Sequence, residues 1–481
     1  MNANTETRFL SVTTYAGGGT SEVKSPATGA TLGVVHLASV EDVNTAANAA
    51  SEAQKAWAET PFDQRANVMY EAARLLKERF AEFIDWNIRE CGSIQPKAEW
   101  EAAVTHTQMV QAASLGAQPV GEIFPSSVPG RTNLWRRVPV GVIGVIAPWN
   151  FPLYLAMRSI APALVLGNAV LVKPDLQSAV TGGRLMQKLF EDAGLPAGVF
   201  QLLIGGPTIG DALVRHPKVD GISFTGSTAV GRQIGETCGR MLKKCTLELG
   251  GNNALVVLDD ADLDGAASCA AWGAFLHQGQ ICMQAGRHLV HRSVADQYIQ
   301  KLAERAGRLY VGDPGAGPAH LGPLINDKQT QRVHRIVTES VAAGAKLVTG
   351  GTYNERYYQP TVLANVDPSM PAFTDEIFGP VAPVTVFDTD EEAVALVNSS
   401  EYGLSAAIHS VNVSRAMRFA KQLRVGMIHI NDQTVNNEPH VPFGGMGASG
   451  NSGRFGGPAS IEEFTKTQWV SSVEKATQYP F

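Results

Sequence analysis

Cys282 and Glu248 are the two residues of this sequence whose chemistry and setting best suit covalent catalysis. Cys282 follows a helical pattern that ends at Gly279, so its thiol is predicted to lie at an element boundary and not on a helix face. An accessible thiolate can attack an electrophilic carbon. Glu248 stands between two leucines and before two glycines, where poor solvation would raise its pKa and suit a general base. Taken alone, a buried inert cysteine and a salt-bridged glutamate remain competing interpretations.

Asn150 lies in the segment Pro148–Pro152, directly after an apolar strand pattern. The two prolines of this segment rigidify the backbone. An amide held in such a segment can point its N–H groups at an oxygen that gains negative charge during a reaction. An asparagine that merely forms a turn is the alternative, and the rigid setting weakens it.

Three further segments have residue types that suit a nucleotide. Lys173 ends the strand pattern Asn168–Val172, and ligands of a doubly wound sheet bind beyond such strand ends. Phe224–Gly231 is a strand, a turn of small residues and a helix start, whose free N–H groups and positive dipole end suit a phosphate. Glu376 and Phe378 precede a Gly-Pro turn, where a carboxylate could bind ribose hydroxyls. A solvated lysine, an ordinary strand–helix turn and a capped loop are the alternatives.

Strands that alternate with helices must position these side chains. Helical patterns cover Ser39–Trp57 and Phe62–Glu90, and the continuous apolar run Val142–Ile146 predicts a strand buried on both faces. Strands and helices then alternate to about Ile430, with a second series after Gly251. This alternation predicts an α/β fold of right-handed βαβ units with mostly parallel sheets. A chain of 481 residues is expected to form two or three domains.

Composition argues against several classes of protein. Hydrophobic residues make up 44% and charged residues 17%, a globular balance. The net charge of −6, with no basic run longer than two residues, argues against nucleic-acid binding. The polar segment Met1–Leu10 and the lack of a long apolar run predict a cytoplasmic protein without a signal peptide. Five irregularly spaced cysteines favour neither a disulfide framework nor a zinc site. Asp260–Gly265 resembles a calcium loop, but Ala271 stands where that loop requires Glu, so no metal is predicted.

The order and spacing of these motifs together resemble the aldehyde dehydrogenase superfamily, and the match spans nearly the whole chain. Glu248 precedes Cys282 by 34 residues, which is the spacing of that family. The run Gln278–Met283 makes the sequence most similar to its benzaldehyde, vanillin and salicylaldehyde dehydrogenases. The matching motifs are Pro148–Pro152, Lys173–Pro174, Phe224–Ser227, Glu248–Gly251, Gly279–Cys282, Glu376–Pro380 and Pro442–Gly445.

The resemblance implies three structural parts and a homodimer or homotetramer. A cofactor-binding domain of modified Rossmann type would comprise residues 1–118 and 141–250. An α/β catalytic domain would comprise residues 251–457. Residues 119–140 and 458–481 would form a small sheet for oligomerisation.

The resemblance also implies roles for the candidate residues. Cys282 would attack the aldehyde, Asn150 and the Cys282 N–H would hold the oxyanion, and Glu248 would activate the water that cleaves the thioester. Lys173 and Glu376 would bind the two riboses. The residues expected to bind the dinucleotide are Trp149, Lys173, Leu176, Gly226, Ser227, Gly231, Glu376 and Phe378.

Two departures from the family pattern bear on the cofactor and on proton transfer. Leu176 stands where many NAD-preferring members have a glutamate that would repel a 2′-phosphate. We therefore predict that NAD and NADP are both usable. Phe455 follows Arg454 where some members carry a glutamate proposed to relay protons, which puts such a relay in doubt here.

Helical spacing after Asn150 predicts the wall of a substrate channel, with residues 151, 154, 155 and 158 on one face. The channel would be apolar and partly aromatic, which favours an aromatic aldehyde. Arg158 could meet a ring substituent or form a structural salt bridge, and the two interpretations stay equally open. Alternatives are an aliphatic or semialdehyde dehydrogenase, a CoA-acylating dehydrogenase and a cofactor-independent thiol esterase. The residues expected to bind the substrate are Phe151, Tyr154, Arg158, Ile281, Met283 and Phe443.

Overall fold

A computed structural model describes residues 14–481 of the chain. The segment Met1–Leu10, from which the absence of a signal peptide was inferred, lies outside the described residues. Within residues 14–481, no helix combines the length and the apolar character needed to cross a bilayer.

Strands and helices alternate through most of the described chain. The strands are β1 (Thr20–Lys24), β2 (Thr31–His36), β3 (Gly121–Phe124), β4 (Thr132–Pro139), β5 (Val142–Ile146), β6 (Ala169–Lys173), β7 (Phe200–Leu202), β8 (Gly221–Thr225), β9 (Lys244–Glu248), β10 (Asn253–Val257), β11 (Ala285–His291), β12 (Lys346–Thr349), β13 (Tyr353–Asn354), β14 (Tyr357–Tyr358), β15 (Thr361–Ala364), β16 (Val381–Phe387), β17 (Tyr402–Gly403), β18 (Ser405–His409), β19 (Met427–Ile430), β20 (Met446–Gly447) and β21 (Thr465–Ser472). The α-helices are α1 (Val40–Glu59), α2 (Phe62–Glu78), α3 (Phe80–Cys91), α4 (Gln95–Ala113), α5 (Pro152–Val165), α6 (Leu185–Asp192), α7 (Pro207–Arg215), α8 (Thr228–Met241), α9 (Leu263–Phe275), α10 (Ala295–Gly307), α11 (Asp327–Ala342), α12 (Pro371–Thr374), α13 (Asp390–Asn398), α14 (Val413–Ala420) and α15 (Gly457–Phe464).

The first large sheet has five parallel strands in the order β7-β6-β5-β8-β9. Strands β5, β6 and β8 are buried at every position, as expected for parallel strands covered on both faces. Side chains of a strand alternate between faces, and Ile143 and Val145 pack into one hydrophobic cluster while Val142 and Ile146 pack into another. Helices therefore cover both faces, which is the doubly wound arrangement predicted from the sequence.

The second large sheet has seven strands in the order β12-β15-β16-β11-β10-β18-β19, and only the pair β12–β15 is antiparallel. Along β10, Leu255 and Val257 pack with α9 and α10, whereas Ala254 and Val256 pack with α11 on the other face. This sheet is thus also covered on both sides.

A small antiparallel sheet joins β3, β4 and β21. Several of its apolar side chains are exposed, among them Ile123 and Trp469. Each of the three sheets falls inside one of the three parts that the resemblance implies. Strands β5–β9 lie in residues 141–250, the expected cofactor-binding domain, and β10–β19 lie in residues 251–457, the expected catalytic domain. Strands β3, β4 and β21 lie in the segments expected for oligomerisation. The domain boundaries themselves stay a prediction.

The structure departs from the sequence patterns at two helices. The single helical pattern Phe62–Glu90 is two helices, α2 and α3, because the backbone leaves helical geometry at Arg79 (φ −103°, ψ 16°). Arg79 forms an ion pair with Asp192 at 2.7 Å, a contact across more than one hundred positions that no local pattern signals. The alternation of strands and helices also predicts a helix around Ser178 to Ala193; in the structure this segment begins with a wide turn over Val180–Arg184 before α6.

Candidate active site

Cys282 follows a turn of unusual backbone geometry between α9 and β11. His277, Gln278 and Gly279 have φ values of 49°, 56° and 69°, the left-handed region that costs non-glycine residues about 1 kcal/mol each. Gln278 Nε2 donates to the carbonyl oxygens of Gly92 (3.2 Å) and Pro323 (2.8 Å), which pins the turn from outside. The surrounding fold therefore imposes the conformation that presents Cys282.

A cavity of about 750 Å³ opens beside Cys282 and Asn150. Aromatic and aliphatic side chains make most of its wall, and several of them pack together as one hydrophobic cluster with Leu404. The residues that helical spacing places on one face after Asn150 therefore do face the same cavity. The six residues expected to bind the substrate all line this cavity: Phe151, Tyr154, Arg158, Ile281, Met283 and Phe443.

The Asn150 side chain is buried and its orientation is fixed. Its Nδ2 donates to the carbonyl oxygen of Gln280 at 2.9 Å. A primary amide carries two N–H donors, so the second one is available to an oxygen atom in the cavity. This is the geometry that an oxyanion donor next to Cys282 requires.

Burial dominates the electrostatics of Cys282 and Glu248. Burial raises the pKa of the Cys282 thiol well above its ordinary value, and the Glu248 charge adds to that effect. Burial also raises the pKa of Glu248, against the opposing charge and hydrogen bond of Arg158. Glu248 Oε1 is buried and has no hydrogen-bond partner within residues 14–481, so this oxygen keeps a free acceptor position, although Glu248 is not among the residues that line the cavity.

Arg158 connects the cavity to Glu248. Its Nη2 lies 2.9 Å from Glu248 Oε2 and 3.2 Å from Thr225 Oγ1, and both charged side chains are buried. Its guanidinium stacks between Phe443 (4.8 Å) and Phe455 (4.3 Å). The structure thus contains the salt bridge that was one of the two interpretations of Arg158, and Phe455, at the position of the doubtful proton relay, is one wall of its site.

The residues expected to bind a dinucleotide lie at the carboxyl edge of the five-stranded sheet. Lys173 ends β6 and is nearly buried, which lowers its pKa. Ser227 precedes α8, and its side chain makes no capping hydrogen bond within the described chain. Free N–H groups at that helix start, together with the lysine, fit the anionic and hydroxyl groups of a dinucleotide.

Trp149 follows β5 at this edge, and Glu376 and Phe378 reach the same region from the second part of the chain. Glu376 Oε1 accepts from the Gly251 N–H at 2.8 Å, and burial raises the pKa of this carboxyl to about 7. The rings of Trp149 and Phe378 meet edge to face with centres 5.7 Å apart. A carboxylate and two aromatic rings at this place also fit a nicotinamide cofactor. Their assignment as cofactor-binding residues stays a prediction.

Leu176, Gly226 and Gly231 complete that set. Leu176 packs against the hydrophobic cluster on one face of the five-stranded sheet, so the chain supplies no charge at that position. A side chain at Gly231 would collide with Leu249, so this glycine lets α8 approach the sheet closely. A side chain at Gly226 would meet the ring of Phe224.

Among the cavity residues that the sequence analysis missed, three contact the aromatic wall. Trp100 on α4 meets the rings of Phe151 and Tyr154 edge to face at 5.9 and 6.1 Å. Lys97, on the same helix, places its ammonium 4.4 Å from the Phe151 ring centre. Asn437 Nδ2 donates to the Tyr154 hydroxyl at 2.8 Å. All three lie far in the sequence from Cys282. Trp100, an aromatic residue within a helical segment, is the one that the sequence could have suggested.

Comparisons with known proteins show similarity over almost the whole chain. The family model described as the aldehyde dehydrogenase family matches residues 14–470. A benzaldehyde dehydrogenase (NAD(+)) of Pseudomonas putida is 61% identical over 473 residues, covering 98% of this chain and 97% of that protein. A vanillin dehydrogenase of Amycolatopsis sp. is 52% identical over 467 residues, covering 97% and 96%. The solved structure of a salicylaldehyde dehydrogenase from Pseudomonas putida G7, complexed with salicylaldehyde, is similar with a TM-score of 0.94 at 36% identity, covering 97% of both chains.

Proposed function

The chain belongs to the aldehyde dehydrogenase family, and we propose that it oxidises an aromatic aldehyde to the carboxylic acid through a thioester on Cys282. It is an enzyme that acts on aldehydes with a nicotinamide cofactor. The observation that carries the aromatic substrate is the cavity beside Cys282, whose wall is built from Phe151, Tyr154 and Phe443. Its relatives named for benzaldehyde, vanillin and salicylaldehyde support the same substrate class.

The first chemical step joins Cys282 to the substrate. The thiol sulfur forms a bond to the aldehyde carbon, the carbonyl electrons move to oxygen, and the thiol proton passes to Glu248 Oε1. A thiol must lose its proton as it attacks, and burial raises the pKa of this one, so a proton acceptor at this place is needed. The second Asn150 N–H and the Cys282 backbone N–H stabilise the oxyanion.

The second part of the reaction frees the acid. A nicotinamide cofactor held by Lys173, Ser227 and Glu376 would supply the acceptor for the hydride that the tetrahedral carbon loses. The oxyanion then re-forms its carbonyl, which leaves the acyl group on Cys282 as a thioester. Glu248 first releases the thiol proton to solvent, so that its carboxylate can remove a proton from a water that adds to this carbonyl. The carbon–sulfur bond then breaks, and the thiolate takes that proton back from Glu248.

A comparison of aldehydes tests the substrate class. We expect kcat/KM for benzaldehyde to exceed that for acetaldehyde by about tenfold or more, because the aromatic wall contacts only the larger substrate. The assay follows the absorbance of the reduced nicotinamide, with Cys282→Ala as the inactive control. A preference for acetaldehyde contradicts the aromatic substrate, and activity in Cys282→Ala contradicts the thioester.

The finer identity of the cofactor is a second part of the proposal. Leu176 offers neither a hydrogen bond to a ribose hydroxyl nor repulsion to a 2′-phosphate, so both NAD and NADP are used. The ratio of kcat/KM for the two cofactors measures this directly. Turnover with NAD and almost none with NADP contradicts it.

Assembly into a homodimer or homotetramer is supported by the small sheet. Ile123, Phe124 and Trp469 expose apolar surface there, as surfaces that meet a partner do. Light scattering coupled to size-exclusion chromatography measures the mass in solution. A monomer at micromolar concentration contradicts this part of the proposal.

A further inference from the structure

Lys97 and Glu101 form a buried ion pair one turn apart on α4, beside the cavity. The Nζ–Oε2 distance is 2.6 Å, and neither side chain is exposed by more than 1%. Lys97 Nζ also donates to Ser93 Oγ (3.0 Å) and Asn87 Oδ1 (3.2 Å). Asn87 Nδ2 donates to Glu101 Oε2 at 2.7 Å. One oxygen of Glu101 is therefore fully engaged within this polar cluster, which fixes the direction of the carboxylate.

The other oxygen of Glu101 caps a different helix. Glu101 Oε1 accepts the backbone N–H groups of Leu153 (2.9 Å) and Tyr154 (3.1 Å). These N–H groups belong to the first turn of α5, where an α-helix has no partners of its own. The preceding residue, Phe151, provides no side-chain cap. A carboxylate at this helix end also meets the positive end of the helix dipole.

The first turn of α5 immediately follows Asn150. The side chains on one face of α4, at positions 97, 100 and 101, all contact this region: Lys97 meets Phe151, Trp100 meets Phe151 and Tyr154, and Glu101 holds the backbone. The amide donor at Asn150 and the aromatic wall are thus anchored to one buried carboxylate.

We propose that Glu101 is a positioning residue for the acylation step, with Lys97 balancing its charge. Its carboxylate fixes the start of α5, and through it the Asn150 amide and the Phe151 and Tyr154 rings relative to Cys282. The inference rests on the proposed roles of Asn150 and Cys282. A displacement of about 1 Å at a reacting group costs about 100-fold in rate, so a small shift of this turn has a measurable effect.

Glu90 provides a matched control within the same chain. It is buried, and its two oxygens accept the N–H groups of Val180 (2.9 Å) and Thr181 (2.8 Å). It therefore holds a helical turn as Glu101 does, but Val180 and Thr181 do not line the cavity beside Cys282, whereas Tyr154, which Glu101 holds, does. Replacing either glutamate removes a buried carboxylate and leaves two N–H groups without it. Glu101→Ala also leaves the buried Lys97 ammonium without its carboxylate partner, so this variant loses more stability than Glu90→Ala.

The experiment compares full-length Glu101→Ala, Glu101→Asp and Glu90→Ala with the wild type. Acylation is measured as the rate of the first turnover of reduced cofactor and, without cofactor, as p-nitrophenyl acetate hydrolysis; Tm reports stability. We expect Glu101→Ala to slow both reactions by about 10- to 100-fold, with the KM for cofactor changed by less than about threefold. Glu101→Asp, whose shorter side chain retreats from Leu153 and Tyr154, falls between. Glu90→Ala loses Tm but keeps both acylation rates.

Equal acylation rates in wild type and Glu101→Ala, or equal losses in Glu101→Ala and Glu90→Ala, overturn the inference and leave Glu101 a structural residue. Where Glu101→Ala does not fold, Glu101→Asp decides, and wild-type acylation in that variant overturns the inference. Failure of the proposed function has a different signature, because wild type would then show no aldehyde-dependent turnover or Cys282→Ala would retain it.

Discussion

Replacing Arg158 with methionine isolates the positive charge beside Glu248. The Nη2–Oε2 distance is 2.9 Å, and both side chains are buried. At an effective dielectric constant of about 20, two unit charges at that separation attract each other by about 6 kcal/mol. Part of this attraction offsets the cost of removing both charges from water. The remainder stabilises the ionised form of Glu248, which is the form that accepts a proton.

Without Arg158, only the Arg454 charge still opposes the effect of burial, and the pKa of Glu248 is higher than in the wild type. The acidic limb of the pH–rate profile for thioester hydrolysis therefore moves to higher pH. On that limb, each pH unit of displacement lowers the rate about tenfold. We expect Arg158→Met to deacylate about tenfold or more slowly at neutral pH and to recover at higher pH.

Stopped-flow measurement of deacylation across pH, after a single acylation, checks this expectation. Arg287→Met is the matched control: Arg287 is also buried and stacks on a ring, Phe373, but its guanidinium donates to backbone oxygens and not to a carboxylate. Its loss should lower Tm without moving the profile. Arg158→Lys, which restores a charge, should move the profile part of the way back. A profile for Arg158→Met that superimposes on wild type, or moves to lower pH, refutes the reasoning.

Three further predictions follow from the cofactor edge and the oxyanion donor. Leu176→Glu should lower kcat/KM for NADP by about tenfold or more, through repulsion of the 2′-phosphate, and change that for NAD by less than about threefold; equal effects in steady-state assays with the two cofactors contradict this. Asn150→Ala should slow acylation by about 100- to 1000-fold while cofactor affinity in a fluorescence titration stays unchanged, and a variant that acylates at the wild-type rate removes Asn150 from the mechanism. Burial raises the pKa of Glu376 from 4.5 to about 7, so between these values the folded state binds more protons than the unfolded state, and this group makes the free energy of unfolding fall as pH rises through that window. Glu376→Gln should remove that contribution, which urea unfolding from acidic to slightly alkaline pH measures; identical pH dependence in both proteins is the contrary result.

Local sequence patterns were sufficient for the features that depend on local physics. The continuous apolar run Val142–Ile146 is a strand with both faces covered, because such a run has no polar face to give to water. The helical spacing after Asn150 placed Phe151, Tyr154 and Arg158 on one face, and all three line the cavity. Periodicity alone determines such relations.

Relations between distant positions could not be predicted in this way. The sequence left two roles for Arg158, contact with a ring substituent or a salt bridge. Its partner Glu248 lies 90 positions later and meets it only when α5 packs beside the end of β9. Glu101 reaches the first turn of α5 from a helix about 50 positions earlier. The break at Arg79 has no glycine or proline to announce it. In each case tertiary contacts, which no window of the sequence contains, decide the outcome.

Phe443 and Phe455, whose rings enclose Arg158, are hydrogen-bonded to each other through their backbones. Phe443 N donates to Phe455 O at 2.7 Å and Phe455 N donates to Phe443 O at 2.9 Å. The two ends of the glycine-rich segment 443–455 are thus paired on either side of the Arg158 guanidinium. That guanidinium in turn is bonded to Glu248 at the end of β9. The contacts that order Glu248 through Arg158 are therefore complete only when the last part of the chain has docked onto its middle. During biosynthesis the catalytic centre is completed late, because Phe443 and Phe455, which enclose Arg158, lie in the last part of the chain.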